Sequence, residues 1–343
     1  MTGAASGLGR ALLPRLAARE VVALDAAVPL VRDPSVTWRQ VDVRDPLLAE
    51  HLTGVATVVH LAIDLDLLAE PVARTALNVR GTASVLEAAL SAGVRRVVLV
   101  TSVDVYGSHP GQPLPLPESA ALLAPAGDSL TGDLVEVERL ADHALRTGLD
   151  VVVLRPAALM GGSLGPSHDG SLLHSLSATR LLAVRGVEPL WQLCHVDDLL
   201  AVLELAAVGR VSGALAVTCD GWLTQREVEQ LSGRRRLELP AAVVVSTAER
   251  LHRIGATPAS PGELDRLLHP LVVDGAALRA AGWTPSWTSA AALTAHVASR
   301  PSPTVRAGLP AAGATAGATA AGATVALLGT AAMVRRVRRR RRL

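Results

Sequence analysis

Phenylalanine and lysine are absent from the 343 residues, and tyrosine and asparagine occur once each, as Tyr106 and Asn78. The missing lysine removes one proton-handling side chain from any catalytic scheme, and the bias toward Ala, Leu, Val and Arg is that of GC-rich codons. The only cysteines are Cys194 and Cys219. They are too few for a disulfide framework and lack metal-type spacing, so unpaired thiols in a reducing compartment are expected, with no metal site. No secretory pattern precedes the first glycines, which makes a cytoplasmic location the expectation. Half of the residues are apolar, ample for a large core, and this excludes a disordered chain.

The formal net charge of +2 conceals an asymmetry: seven arginines fall in the last nine residues, leaving 26 arginines against 31 acids elsewhere. The body is therefore acidic and only the tail is basic. Before that cluster, residues 307–334 carry no charge over 28 positions, long enough to span a bilayer. Most of the run is Ala, Gly and Thr, so insertion would be marginal. With the arginines held on the cytoplasmic side, the body would lie outside, which conflicts with its having no export signal. Three readings of the tail stand: a disordered extension, a polybasic segment drawn to an anionic membrane surface, and a single-pass anchor. Nucleic acid is a weaker candidate for the arginines.

From Val21 to about Asp150 short β-branched runs alternate with longer stretches, and REVVALD, ATVVHLA, RRVVLVTS and DVVVLRP are nearly continuous in apolar residues. A parallel sheet covered on both faces requires such strands, where a half-exposed sheet would show alternation. The segments between them have helical spacing, and TALNVRGTASVLEAALSAG stops at Gly93. The sequence therefore predicts a doubly wound α/β sheet. Past Pro156, HVDDLLAVLELAA and LTQREVEQLSG read as helices, the second capped by Thr224. RAAGWTPSWTSAAALTAHV closes a smaller lobe. The expected divisions are a nucleotide-binding core over 1–155, remaining sheet segments and substrate lobe over 156–297, a linker over 298–310, and the tail over 311–343.

The chain opens MTGAASGLGR, with Gly3, Gly7 and Gly9 in the spacing GxxxGxG around Leu8. Such a turn lets backbone N–H groups and a helix start approach a pyrophosphate. Asp25 ends the next strand-like run, 22 residues beyond Gly3, about where a carboxylate meets adenosine ribose hydroxyls. That carboxylate favours NAD over NADP, whose 2′-phosphate it would repel.

Taken in order, these segments resemble the extended short-chain dehydrogenase/reductases, a family that includes NAD-dependent sugar-nucleotide epimerases and dehydratases. The resemblance covers roughly residues 1–297. TGAASGLG resembles the cofactor turn, although its spacing is that of the classical branch of the family. VDVRD implies Asp42 and Val43 near adenine, and VVHLA implies Leu61 and Ala62 along the cofactor. The block NVRGTASVLEAALSAGVRRVVLVTSVDVYG places Asn78, Ser102 and Tyr106 at characteristic positions. The resemblance also implies a Rossmann-type fold, a small-molecule substrate such as a nucleotide sugar or secondary alcohol, and homodimerisation through helices flanking the catalytic motif. In the family an apolar strand precedes the glycine turn, where Met1 stands here. A truncated first strand, through a start codon placed too late, is therefore expected.

Hydride transfer in the family uses Tyr and Lys in YxxxK beside a serine. Ser102 occupies the serine position. The remainder reads LTGDLVEVE, with Leu130 at the tyrosine position and Leu134 at the lysine position. No slip of register restores the motif, because the only tyrosine lies in VYG and there is no lysine. Asp133, weighed with Asp128 as a substitute base, would need burial to raise its pKa; the alternative for each is a cap or a solvated acid. Tyr106 borders the site or packs the VYG turn. His195 faces the substrate side or is structural, and Arg155 meets a substrate anion or pairs with an acid. Three functions follow: an NAD-binding sensor or scaffold with a degenerate site, an active oxidoreductase or epimerase with a substitute base, and a membrane-surface interaction module.

Overall fold

The computed structural model describes residues 1–27, 29, 33–66, 69–161, 181–254 and 265–299. Six parallel strands carry the core: β1 (Val21–Asp25), β2 (Val36–Gln40), β3 (Thr57–His60), β4 (Arg96–Val100), β5 (Asp150–Pro156) and β6 (Ala214–Val217). They fall into a β2–β1 pair and a β3–β4–β5–β6 block. Thr2 joins the two through parallel bridges to Leu24 and His60. Met1, Thr2 and Ala4 thus pair with β1 and the end of β3 at the centre of the sheet, Leu24 N donating to Met1 O, Thr2 N to Val59 O and Ala4 N to Leu24 O.

Because side chains alternate across a strand, the apolar runs divide between two faces. Val58, Val97, Leu99, Val151 and Val153 face one way, where the helices Thr82–Ser91 and Leu130–Arg146 cover them through Val85, Ala89, Val137 and Ala141. Val59, Val98, Val100, Val152 and Leu154 face the other way, where the helices Gly7–Leu12 and Val196–Ala207 contribute Leu8, Leu12, Leu199 and Leu203. Both faces are covered, which is why the strands show no polar alternation. This is a Rossmann-type sheet, as the sequence implied.

The other described strands form short pairs. Ala158–Met160 runs parallel to Leu193–His195, Leu181–Val184 parallel to Arg236–Leu239, and Leu190–Trp191 antiparallel to Leu223–Thr224. The helix Gln225–Ser232 has a complete capping box between Thr224 and Glu227, satisfying two backbone donors at its start. With the helix Ser289–Ser299 it buries Trp191, Leu193, Val228 and Leu293. Apart from residues 298 and 299, the linker 298–310 and the tail 311–343 lie outside the described residues. Among the described residues, no helix is long and apolar enough to cross a membrane.

Candidate functional site

The glycine turn sits where the sheet's central position meets the helix Gly7–Leu12. Gly3 has a φ of 64°, and a Cβ there would lie 2.4 Å from the Leu61 carbonyl carbon and the Ala62 nitrogen. A Cβ on Gly9 would lie 2.3 Å from the Gly3 oxygen. The first glycine is required by backbone conformation and by the chain passing over it, the second by the approach of helix to turn. Ser6 caps the helix, its Oγ accepting from Gly9 N at 3.0 Å. This bare main chain, with Leu61 and Ala62 just past β3 beside it, leaves room for a pyrophosphate.

Asp25 accepts backbone N–H bonds from Ala5 and Ala27, each at 2.9 Å. Those bonds fix the carboxylate at the end of β1 and leave acceptor capacity for a diol. Asp42 is paired with Arg44, whose hydrogen bond holds the carboxyl below the usual range. Val43 is buried beside Gly81. Asn78 is fully buried, accepting from Asp64 N at 2.8 Å and donating to Asp64 O at 2.9 Å. It clamps the loop that follows β3.

Ser102 follows β4 and caps the short helix Val103–Tyr106, its Oγ accepting from Asp104 N. The same hydroxyl donates to Asp104 Oδ2 at 2.9 Å, and Arg266 holds Oδ1 at 2.7 Å. Asp104 was not among the residues singled out from the sequence. The available signal was its position two residues after Ser102.

Leu130 and Leu134 open the helix Leu130–Arg146 and are both buried, packed in one cluster with Ile63, Val105, Ala124 and Val135. Asp133 does not stand free beside them. Its carboxylate, 2% exposed, is bound by Arg74 Nε at 2.7 Å and by Thr75 Oγ1 at 2.7 Å. Both carboxylate oxygens of Asp133 are thus taken up by partners on the helix Pro71–Thr75. Asp128 is exposed in the loop before the helix.

Tyr106 and Arg155 are joined in a buried network. Arg155 donates to both Glu138 oxygens, at 2.9 and 2.8 Å, and to the Tyr106 hydroxyl at 2.8 Å. Tyr106 in turn donates to Glu118 O, and Thr101 Oγ1 donates to Glu138 Oε1. Burial raises the Tyr106 pKa against the pull of Arg155, so a phenolate is disfavoured, and Arg155 is satisfied by an acid of its own chain. His195 caps the helix Val196–Ala207 through Asp197 N and stacks on Trp287 with ring centroids 3.7 Å apart. Burial lowers its pKa despite Asp197 and Asp198 nearby. Among the described residues no cluster of ligands could hold a metal.

Residues 1–213 match the model of the NAD dependent epimerase/dehydratase family. An uncharacterised protein of Mycobacterium tuberculosis is 28% identical over 317 residues, covering 88% of this chain and 83% of that protein. A 3-diazoavenalumate denitrifying reductase of a Streptomyces species is 32% identical over 233 residues, 64% of this chain and 75% of that one. Among solved structures, a double mutant of the dTDP-glucose 4,6-dehydratase DesIV of Streptomyces venezuelae, with NAD and DAU bound, superposes with a TM-score of 0.65 at 24% identity. That match covers 87% of this chain and 94% of the other. MoeE5 in complex with UDP-glucuronic acid and NAD gives 0.64 at 24% identity, over 87% and 96%. At these identities the structures establish the shared fold.

Proposed function

The chain belongs to the NAD-dependent epimerase/dehydratase family, and from that premise we propose that it binds NAD while its proton-handling site is degenerate, leaving hydride transfer weak or absent. Its role is then a dinucleotide sensor or scaffold. Gly3, Gly7, Leu8 and Gly9 would hold the pyrophosphate, Asp25 the adenosine ribose, Asp42 and Val43 the adenine side, and Leu61 and Ala62 the length of the cofactor, with Asn78 fixing the adjoining loop. Bound NAD would supply the hydride acceptor. The observation that carries the degenerate reading is the burial of Leu130 and Leu134 in an apolar cluster. Side chains packed this way can position neighbours but cannot take or give a proton.

The test is to titrate the purified protein with NAD and NADH, then offer nucleotide sugars and secondary alcohols while following nicotinamide absorbance. Binding without turnover is expected. Rapid NADH oxidation by a ketone would overturn the degenerate reading, and no binding would overturn the cofactor assignment.

One observation favours a second reading, an active oxidoreductase or epimerase. Ser102 donates to Asp104 at 2.9 Å, and the Asp104 side chain is 25% exposed, so the pair reaches solvent and Asp104 could accept a proton relayed through the hydroxyl. The nucleotide sugars bound in the similar solved structures support a substrate of that class. Under this reading Asp104→Asn would abolish turnover and leave NAD affinity unchanged, and Ser102→Ala would do the same.

A further inference from the structure

The helix Leu130–Arg146 packs on β5 and leaves beside it a cavity of about 370 Å³, at the edge of the sheet where β6 pairs with β5. Val151, Val153 and Arg155 alternate onto the face of β5 that lines it. Glu138, Ala141 and Leu145 line it from the helix, at the spacing of one helical face. Ala214, exposed at the start of β6, is also part of the lining.

Two charged side chains of this lining are nearly sealed, Arg155 at 8% and Glu138 at 5% exposure. A guanidinium has five N–H donors. Arg155 uses three of them, Nε and Nη2 on Glu138 and Nη1 on the Tyr106 hydroxyl. A carboxylate has about four acceptor positions. Thr101 Oγ1 and Arg155 fill three on Glu138, and the open one is on Oε2. Donor and acceptor capacity therefore remain side by side, without partners among the described residues, in a largely apolar wall. The two charges cancel. Arg139 and Asp142, the other charged residues of the lining, are exposed and paired with Glu136 and Arg146. An ion entering the cavity would give up its water and meet no net opposite charge.

We propose that this cavity binds a small neutral ring compound carrying a hydroxyl group, with phenol as the simplest example, at a site separate from the glycine turn and from Ser102. The ring covers Ala141, Leu145, Val151 and Val153, and the hydroxyl accepts from Arg155 while donating to Glu138. A hydroxyl fills both open positions with one group, whereas a carbonyl or carboxylate answers only the arginine and an ammonium only the glutamate. The volume is adequate, since pockets for small molecules start at about 300 Å³. The inference does not depend on NAD binding.

The test is a titration of the full chain with phenol, followed by NMR of methyl-labelled valine and leucine. Saturable shifts at Leu145, Val151 and Val153 with a Kd below about 1 mM are expected, and benzene, benzoate and benzylamine should each bind at least about tenfold more weakly. Two variants locate the site. Ala214→Trp fills the cavity from an exposed position, and Leu145→Asp, at a side chain 52% exposed, sets a charge in the apolar wall without touching the core. Each should weaken phenol at least about tenfold, and Leu145→Asp should do so with Tm unchanged. The absence of saturable shifts below about 1 mM, benzoate binding as tightly as phenol, or undiminished phenol affinity in Leu145→Asp would overturn the proposal.

Discussion

Glu138 is the residue whose removal the structure prices most directly. Its carboxylate is 5% exposed and accepts from Thr101 at 2.7 Å and from Arg155 at 2.9 and 2.8 Å, and the Arg155 side chain is 8% exposed. In Glu138→Ala the guanidinium keeps only its bond to the Tyr106 hydroxyl and its position 4.9 Å from that ring. Breaking a buried pair from one side costs about 3–5 kcal/mol, because a desolvated charge is left behind. Glu138→Gln keeps the shape and loses the charge, so about half that cost is expected. The double variant Glu138→Met with Arg155→Met removes both charges and should be more stable than Glu138→Ala, despite carrying an extra substitution. Urea unfolding followed by tryptophan fluorescence measures all three. A cost below about 1 kcal/mol for Glu138→Ala, or a double variant no better than that single one, would mean that Arg155 reaches water and that the network is not sealed.

Gly9→Ala should weaken NAD binding by more than about tenfold, equivalent to about 1.4 kcal/mol. The new methyl would lie 2.3 Å from the Gly3 oxygen and 2.8 Å from Ala4 Cα, both backbone atoms, so the helix must withdraw from the turn. Titration calorimetry checks this, and unchanged affinity would place the pyrophosphate elsewhere. His60 gives a pH dependence. Burial, aided by the nearby amino terminus, lowers its pKa to about 4, while unfolding restores the ordinary value near 6.5. Between those values the unfolded chain binds the extra proton, so stability falls as pH drops from about 6.5 to 4, by up to about 3 kcal/mol, and levels below that. Unfolding curves across this range should lose that component in His60→Gln; an unchanged slope would refute the assignment.

The strands that were legible in the sequence are those buried on both faces. The runs behind β1, β3, β4 and β5 are apolar without interruption, and that signal belongs to a parallel sheet. The strand Val36–Gln40 was not anticipated because its sequence, VTWRQ, is mostly uncovered after its first residue. Ala214–Val217 was missed because ALAV is too short to distinguish strand from helix. Thr224 and Gly93 were readable as helix ends, since a cap is a local interaction and its partners lie within a few residues.

The site divides in the same way. The sequence by itself determined the glycine turn, Asp25 at the following strand end, the serine after β4, and two leucines in place of tyrosine and lysine, because each is a matter of residue type at a short spacing. Only the tertiary structure decided what the charged side chains do. Asp133 meets Arg74 from 59 residues away, Arg266 reaches Asp104 across 162 residues, and Arg155 turns to Glu138. Spacing along a chain fixes local geometry, but whether a carboxylate is a base or half of an ion pair depends on which distant segment folds against it.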